Sequence, residues 1–373
     1  MSKIPNGHEI IQLFESMYPK SLAMEGDKIG LQIGALNKPV QNVLIALDVT
    51  EEVVEEAIKK QANVIIAHHP LIFNPLKTIQ TDKAYGRIIE TCIKNDIAVY
   101  AAHTNVDIAS GGVNDLLAEA LGLVDTEVLV PTYEEKLKKL VVFVPTSHAE
   151  EVRQALGDSG AGYMGKYSHC TYNSEGIGTF LPQVGATPYI GAQGTLEKVE
   201  EVRIETIIPA SLQRSVIQAM LKAHPYEEVA YDIYPLENTG NILGLGKIGK
   251  LAQEMTLEQF ALHVKKCLDV KGVRVVGNMQ DRIRKVAVVG GDGNKYINQA
   301  KFKGADVYVT GDLYYHVAHD AMMLDLNVVD PGHNVEKVMK TGVQQQLQRK
   351  ADTKKFAVTI HASKIHTDPF MFV

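Results

Sequence analysis

The 373-residue sequence has no tryptophan and only three cysteines. Cys92, Cys170 and Cys267 lie far apart, and none belongs to a C-x-x-C pair. That argues against a disulfide scaffold or a zinc ribbon and suits reduced thiols in the cytoplasm. No stretch approaches the roughly 20 apolar residues of a membrane span. The opening MSKIPNGHEIIQLFESMYP lacks the apolar run of a signal peptide. Basic charge is not in excess either: 38 lysines and arginines face 44 acids, a net charge of −6, with both signs mixed along the chain. A nucleic-acid partner, which calls for a basic stripe, is therefore not expected. No G-x-S-x-G elbow is present, and VVGGDGN (288–294) is neither G-x-G-x-x-G nor a Walker A loop. It reads better as a tight strand-to-helix turn than as a phosphate loop.

What is present is an ordinary globular composition, 45% hydrophobic and 22% charged, with length enough for two or three domains. Residues 8–18 read as an amphipathic helix and VLIALDV (43–49) as a buried strand. EEVVEEAIKKQ (51–61) reads as a helix with acids in its first turn and lysines near its end. VIIA (64–67), a helix over 82–94 and IAVYAAH (97–103) continue a βαβ rhythm, which predicts a parallel sheet. The middle reads β-α-β-β-α-β: strands over 139–145, 167–181, 199–207 and 228–236, helices over 149–160 and 211–225. That is a ferredoxin-like unit. The glycine-rich NTGNILGLGKIG (238–249) reads as its exit connection, and from Leu257 the α/β alternation returns.

An internal repeat organises the rest. VLIALD starts at Val43 and ANVIIAHHPLIF at Ala62; VAVVGG starts at Val286 and ADVYVTGDLYYH at Ala305, an offset of 19 in both cases. Each copy ends on a polar pair, His68-His69 in one and Gly311-Asp312 in the other. Downstream, HTNVD (103–107) matches HNVE (333–336) with one residue deleted. The expected architecture is α/β: two pseudo-symmetric lobes, residues 1–125 and 247–373, forming one domain, with residues 126–246 inserted between them. Ligands in such sheets bind at the carboxyl ends of the strands, where all these polar residues fall.

The half-sites carry metal-binding chemistry. Pro70 holds His69 extended, so His68 and His69 leave the strand end toward one cleft. Asp107 follows the next strand, and His333 and Glu336 share a face if a helix begins there. Three imidazoles and two carboxylates suit borderline divalent ions. Taken singly, the residues have plainer readings. An isolated His-His pair is more often a hydrogen-bonded turn, and Asp107 or Glu336 alone suits a helix first turn. His103 reads as a proton carrier, as a residue orienting a ligand, or as a core histidine. His316 and His319, three apart, read as substrate-side or as a plain helix face; His316 is the second candidate proton carrier. His361 and His366 flank SKI near the end of the chain. GDKIGLQIG (26–34) reads as a cleft-lining loop or a hairpin.

GDKIGLQIG, ALDVT, IIAHHPLIF, YAAHTNVD, GGVNDLLAEALGL, VTGDLYYH, DPGHNVE and HTDPF occur in order along nearly the whole chain. In these it resembles the NIF-three-like family, whose members are widely labelled GTP cyclohydrolase type-two homologs. The resemblance implies a dinuclear metal site between two similar lobes, with its ligands on His68, His69, Asp107, His333 and Glu336. Many members place three residues between that last histidine and glutamate; here there are two. A dinuclear site means two divalent ions per chain, and the donor types suit zinc first, with iron, manganese, cobalt or nickel as alternatives. A toroidal homohexamer is implied as well, as is an insert similar to trimer-forming domains of the PII and CutA type. The function expected is hydrolysis of a small molecule, a nucleotide among the candidates, by a metal-activated water. The alternative is a metal-loaded regulator or scaffold without turnover, acting through the insert.

Overall fold

The structure, a computed structural model, describes residues 3–372. The chain forms two compact units, one up to Tyr133 and from Leu243 onward, the other Glu134–Ile242. In the first unit, four strands open the chain: β1 (Gly30–Ile33), β2 (Asn42–Ala46), β3 (Val64–Ala67) and β4 (Ala98–Ala101). β2, β3 and β4 are parallel, and β1 runs antiparallel beside β4. The middle of the chain supplies β5 (Leu123–Pro145), β6 (Tyr172–Phe180), β7 (Glu197–Pro209) and β8 (Tyr231–Thr256). The remaining strands are β9 (Arg274–Val276), β10 (Arg282–Asp292), β11 (Val307–Gly311), β12 (Asn327–Asp330) and β13 (Thr359–Ala362).

The second lobe repeats the first. β10, β11 and β12 are parallel, and β9 runs antiparallel beside β12. Register repeats too: Val43 pairs with Val64 and Val286 with Val307, 21 residues apart in both. GDKIGLQIG is not a hairpin: its first residues, 26–29, are a loop, and the rest contains β1, the antiparallel edge. β13 was not expected: it joins the first lobe's sheet, parallel to β2, with Thr359 opposite Asn42. That places His361 in a strand, its Nε2 3.0 Å from Asn42 Oδ1 and away from the histidine cluster described below.

Both faces of the β2–β4 sheet are covered, which explains its unbroken apolar runs: all four residues of β3 and of β4 are buried. One core joins both lobes, from Phe14 and Tyr100 to Val288, Val309 and Met339. A second fills the other face of the first lobe's sheet around Leu44, Ile65 and Val99. The helices start where the sequence signals starts. Asn6 caps Gly7–Glu15 in a reciprocal box with Glu9, Thr256 caps Leu257–Cys267 likewise with Gln259, and Thr50 caps Glu51–Lys59.

The unit Glu134–Ile242 has the expected β-α-β-β-α-β order, with helices Ala149–Asp158 and Gln213–Ala223. It has its own core of Leu140, Val142, Leu156, Ile204, Val216 and Met220. The glycine-rich stretch 238–249 does hold the exit boundary, between Ile242 and Leu243, but it is strand and not an irregular connection: it lies inside β8, and the other boundary falls within β5. Its glycines serve backbone proximity. A Cβ at Gly244 would lie 2.0 Å from the carbonyl oxygen of Val130, and one at Gly240 2.3 Å from that of Glu135.

Candidate metal centre

Parallel strands of both lobes deliver polar residues from their carboxyl ends to one place. After β2 comes Asp48, after β3 His68 and His69, after β4 His103 and Asp107. From the other lobe come Gly291 at the end of β10, Asp312 after β11, and His333 and Glu336 after β12. The sheet continues through the His-His pair, whose backbone N–H groups donate to the carbonyls of Ala46 and Leu47. Asp107 sits on the short helix Thr104–Ile108. His333–Lys337 is a 3₁₀ helix, in which residues three apart eclipse one another, so the two-residue spacing between His333 and Glu336 puts both on one face. Gly311 lets that turn come close, since a Cβ there would lie 2.8 Å from His333 N.

Each of four imidazoles is pinned from behind. Nδ1 of His68 lies 3.1 Å from the carbonyl oxygen of Ala102. Nδ1 of His69 lies 2.6 Å from Asp48, that of His103 2.9 Å from Asp27, and that of His333 2.7 Å from Asp312. Donation of Nδ1–H outward leaves Nε2 for the centre, the tautomer that metal-ligating histidines adopt. Glu336 Oε2 is 3.0 Å from His69 Nε2, 3.2 Å from His333 Nε2 and 3.7 Å from His68 Nε2. His68 Nε2 faces Asp107 Oδ1 at 3.5 Å.

The charges are concentrated. Burial pushes Glu336 up, but His333, His68 and His69 outweigh it and hold the carboxyl well below its usual range. Burial pushes the His69 imidazolium down, yet its bonds to Asp48 and Glu336 raise it to about 10. The Glu336 bond, with help from Asp312, lifts His333 against burial to about 9. Burial, with Glu336 adding to it against the pull of His68, raises Asp107 to about 6.

These donors fit a metal. His68 Nε2 and Asp107 Oδ1 are buried and without a hydrogen bond, two of three such side-chain atoms among the described residues. Leaving a buried polar atom unpaired costs about 1–3 kcal/mol, and a divalent ion would satisfy both. Three donor sets have atoms within 4.8 Å of one another: His68, His69 and His103; His69, His333 and Glu336; His68, Asp107 and Glu336. All five residues assigned as ligands from the sequence, and His103, therefore come together. His316 does not: it is exposed on the helix Tyr315–Met323, with the Tyr315 ring 5.4 Å away, and no donor set includes it. The structure adds Asp48 and Gly291, and it gives definite partners to Asp312, of the second polar pair, and to Asp27, of the GDKIGLQIG segment. Asp48 and Asp312 stand just beyond strand ends, Gly291 near the end of β10 and Asp27 just ahead of β1. A cleft of about 320 Å³, lined by Asp48, His69, Asp312, His333, Thr367 and Phe370 among others, opens beside the cluster.

Proton linkage follows with a definite sign. Without metal, His69 and His333 are protonated at pH 7, and binding requires their neutral forms. Metal uptake at pH 7 should release protons, and affinity should rise with pH until about 9–10. The metal-free chain should behave oppositely: stability from these raised pKa values is complete below about 6.5 and lost through about 9–10. The melting-temperature gap between loaded and metal-free protein should widen from pH 6 to pH 10. A constant gap would contradict this linkage.

Comparison with known proteins agrees with this architecture. The sequence model of the family described as Duf34/NIF3 (NGG1p interacting factor 3) matches residues 5–369. A Bacillus subtilis protein named GTP cyclohydrolase 1 type 2 homolog is 62% identical over 373 residues, all of both chains. A Bacillus cereus protein related to NIF3, solved by crystallography, superposes with a TM-score of 0.94 at 78% identity over the full length of both chains. The crystal structure of a Staphylococcus aureus protein, 34% identical over 99% of each chain, gives a TM-score of 0.75. The chain belongs to the Duf34/NIF3 family.

Proposed function

We propose that this protein is a hydrolase dependent on two divalent ions per chain, zinc first among zinc, iron, manganese, cobalt and nickel. The observation that carries the reading is four imidazoles fixed through Nδ1, three of them turned toward the single oxygen Glu336 Oε2. Two of the donor sets share Glu336, one with His68 and Asp107 and one with His69 and His333, which supports two ions rather than one. Such ions supply Lewis acidity and a water that ionises near neutral pH. The chain's residues do the rest. Asp48, Asp27 and Asp312 hold the rings of His69, His103 and His333 in one tautomer. His103, its pKa raised by Asp27 and Asp107 against burial, is the group suited to carry a proton at Nε2. The cleft beside His69 and His333 would take a small molecule. The name of the Bacillus subtilis relative favours testing a purine nucleotide first, with a phosphoester or small amide next. The location proposed is the cytoplasm, consistent with no helix among the described residues being long and apolar enough to cross a membrane. A homohexamer is proposed on the family resemblance alone.

Elemental analysis of protein purified without chelator, beside His69→Ala, tests the reading. Near two transition-metal ions per chain are expected, falling to one or fewer in the variant. Metal absent from both would sink it. A second reading, a metal-loaded regulator acting through the insert, draws on a cavity of about 560 Å³ in that unit. Phe180, Tyr189 and Tyr226 line it, and Tyr226 donates to Glu201 at 3.2 Å. A regulator of this kind would retain effector binding in His69→Ala and show no turnover in any metal form.

A further inference from the structure

A second cavity, of about 390 Å³, adjoins the cleft at the metal centre; Asp368 and Phe370 line both. Its character is different. Lys271, Lys337, Lys340, Lys364 and His366 line it, against the carboxylates of Asp269 and Asp368. Two of the lysines are turned inward by carbonyl acceptors rather than splayed into water: Lys337 Nζ donates to Asp269 O at 2.6 Å and Lys340 Nζ to Ile365 O at 2.9 Å. Lys337 keeps only 19% of its side chain exposed, and its nearest carboxylate, Asp269, stands 3.9 Å off and fully solvated. Among the described residues no carboxylate comes within 4.0 Å of Nζ of Lys271, Lys340 or Lys364, although the Lys364 backbone N–H donates to Glu56 at 3.1 Å.

Like charges three apart at the start of a helix repel, and burying an ammonium without a counter-ion is unfavourable. Burial lowers the pKa of Lys340 and the Lys337 charge adds to this, while Glu56 and, more weakly, Asp48 oppose it. Asp48 is the carboxylate behind His69, so the lysine pocket and the imidazoles lie within each other's electrostatic reach. An anion held here would relieve the repulsion through charge-assisted hydrogen bonds. Phe370, 70% exposed, stands as an apolar wall common to the two cavities.

We propose that the pocket of Lys337, Lys340 and Lys364 is an anion subsite that holds the phosphate group of the substrate while another part of the same molecule lies at His69 and His333. Resting on the hydrolase reading, this narrows the substrate to a phosphorylated small molecule, with the reacting group separated from the anchoring phosphate by the width of the Phe370 wall. Unphosphorylated amides drop out of the candidates.

The test is binding of inorganic phosphate to the metal-loaded full chain by calorimetry, with metal content measured on the same samples. Losing one charge-assisted contact should weaken binding about tenfold in Lys340→Gln. The double variant with Lys364→Gln should be weaker still, and Lys340→Arg should stay near wild type, all at unchanged metal content. Unchanged phosphate affinity in the double variant would mean that phosphate meets only the metal ions, and the proposal falls. Should Lys340→Gln fail to fold, the exposed Lys364→Gln alone must weaken binding, or the proposal falls equally. Wild-type protein stripped by chelator separates this inference from the one beneath it. Lysine-dependent phosphate binding that survives there supports the subsite even if no metal-dependent hydrolysis is ever found.

Discussion

Glu336→Gln is expected to abolish most metal-dependent turnover and leave the fold standing. Loss of a group behind a metal ligand typically costs about 10–100-fold in affinity or activity. Glu336 is itself the carboxylate at the centre, so its replacement should exceed that range. Glutamine matches it in shape and removes the charge. Taking one partner from a buried ion pair usually costs about 3–5 kcal/mol, because the other charge is left alone. Here the other charges are imidazoliums, which can lose their protons. With the carboxylate gone, the main cause of the raised pKa of His333 disappears, as does one of the two bonds that raise His69. His333 then moves toward its ordinary value, while His69, still bonded to Asp48, falls less. The expected result is an unchanged circular-dichroism spectrum, a small shift in the metal-free melting temperature, and much weaker metal retention. Proton release on metal addition at pH 7 should shrink as well. Full turnover in Glu336→Gln would remove this residue from the centre.

The second large effect concerns a residue with no side chain. Gly291 has φ +62°, and a Cβ on it would sit 2.6 Å from Glu336 Oε1 and 3.2 Å from His333 Nε2. Alanine there meets two penalties. The left-handed backbone costs an L-residue about 1–2 kcal/mol. The new methyl also drives the Glu336 carboxylate away from His69 and His333. Gly291→Ala should therefore lose stability and, separately, bind metal about 10–100-fold more weakly, as when a supporting contact is removed. Gly304→Ala separates the two effects. Gly304 has φ +75°, and the nearest atom to its Cβ would be Lys285 Nζ at 3.8 Å, so it carries the strain without the collision. It should lower the melting temperature and leave metal content alone. Equal metal loss in both variants would show that strain, not contact with Glu336, is responsible.

The residues that meet at the centre were largely visible in the sequence because each stands at a strand end with a chemical signature. His68-His69-Pro70 interrupts an apolar run, and HTNVD and HNVE recur after matching strands. What supports them was not visible. Asp27, Asp48 and Asp312 each enter the centre by facing a particular Nδ1, and that pairing spans 76 residues for His103, 21 for His69 and 21 for His333. No local pattern encodes it. Gly291 looked like any turn glycine, since its role is the space it leaves for Glu336. His316 was misplaced by proximity to Gly311-Asp312 in sequence; the chain turns after β11, and the helix Tyr315–Met323 leaves His316 exposed. The glycines of 238–249 looked like a linker because glycine marks both connections and close backbone contacts. Only the neighbouring carbonyls of Val130 and Glu135 tell the two apart.

The pairing of β13 with β2 has a consequence for synthesis on the ribosome. Val43 is made early, but its parallel neighbour Ile360 follows 317 residues later (360 − 43). At about 5–20 residues per second, the β2 edge waits roughly 16–63 seconds for the strand that covers it. Through that interval the nascent chain carries an open, largely apolar sheet border of the kind that recruits foreign strands. His333 and Glu336 have not yet been made for most of it either. The cluster of His68, His69, His103 and Asp107 then stands without His333 and Glu336. The complete donor set therefore exists only once the second lobe has been made.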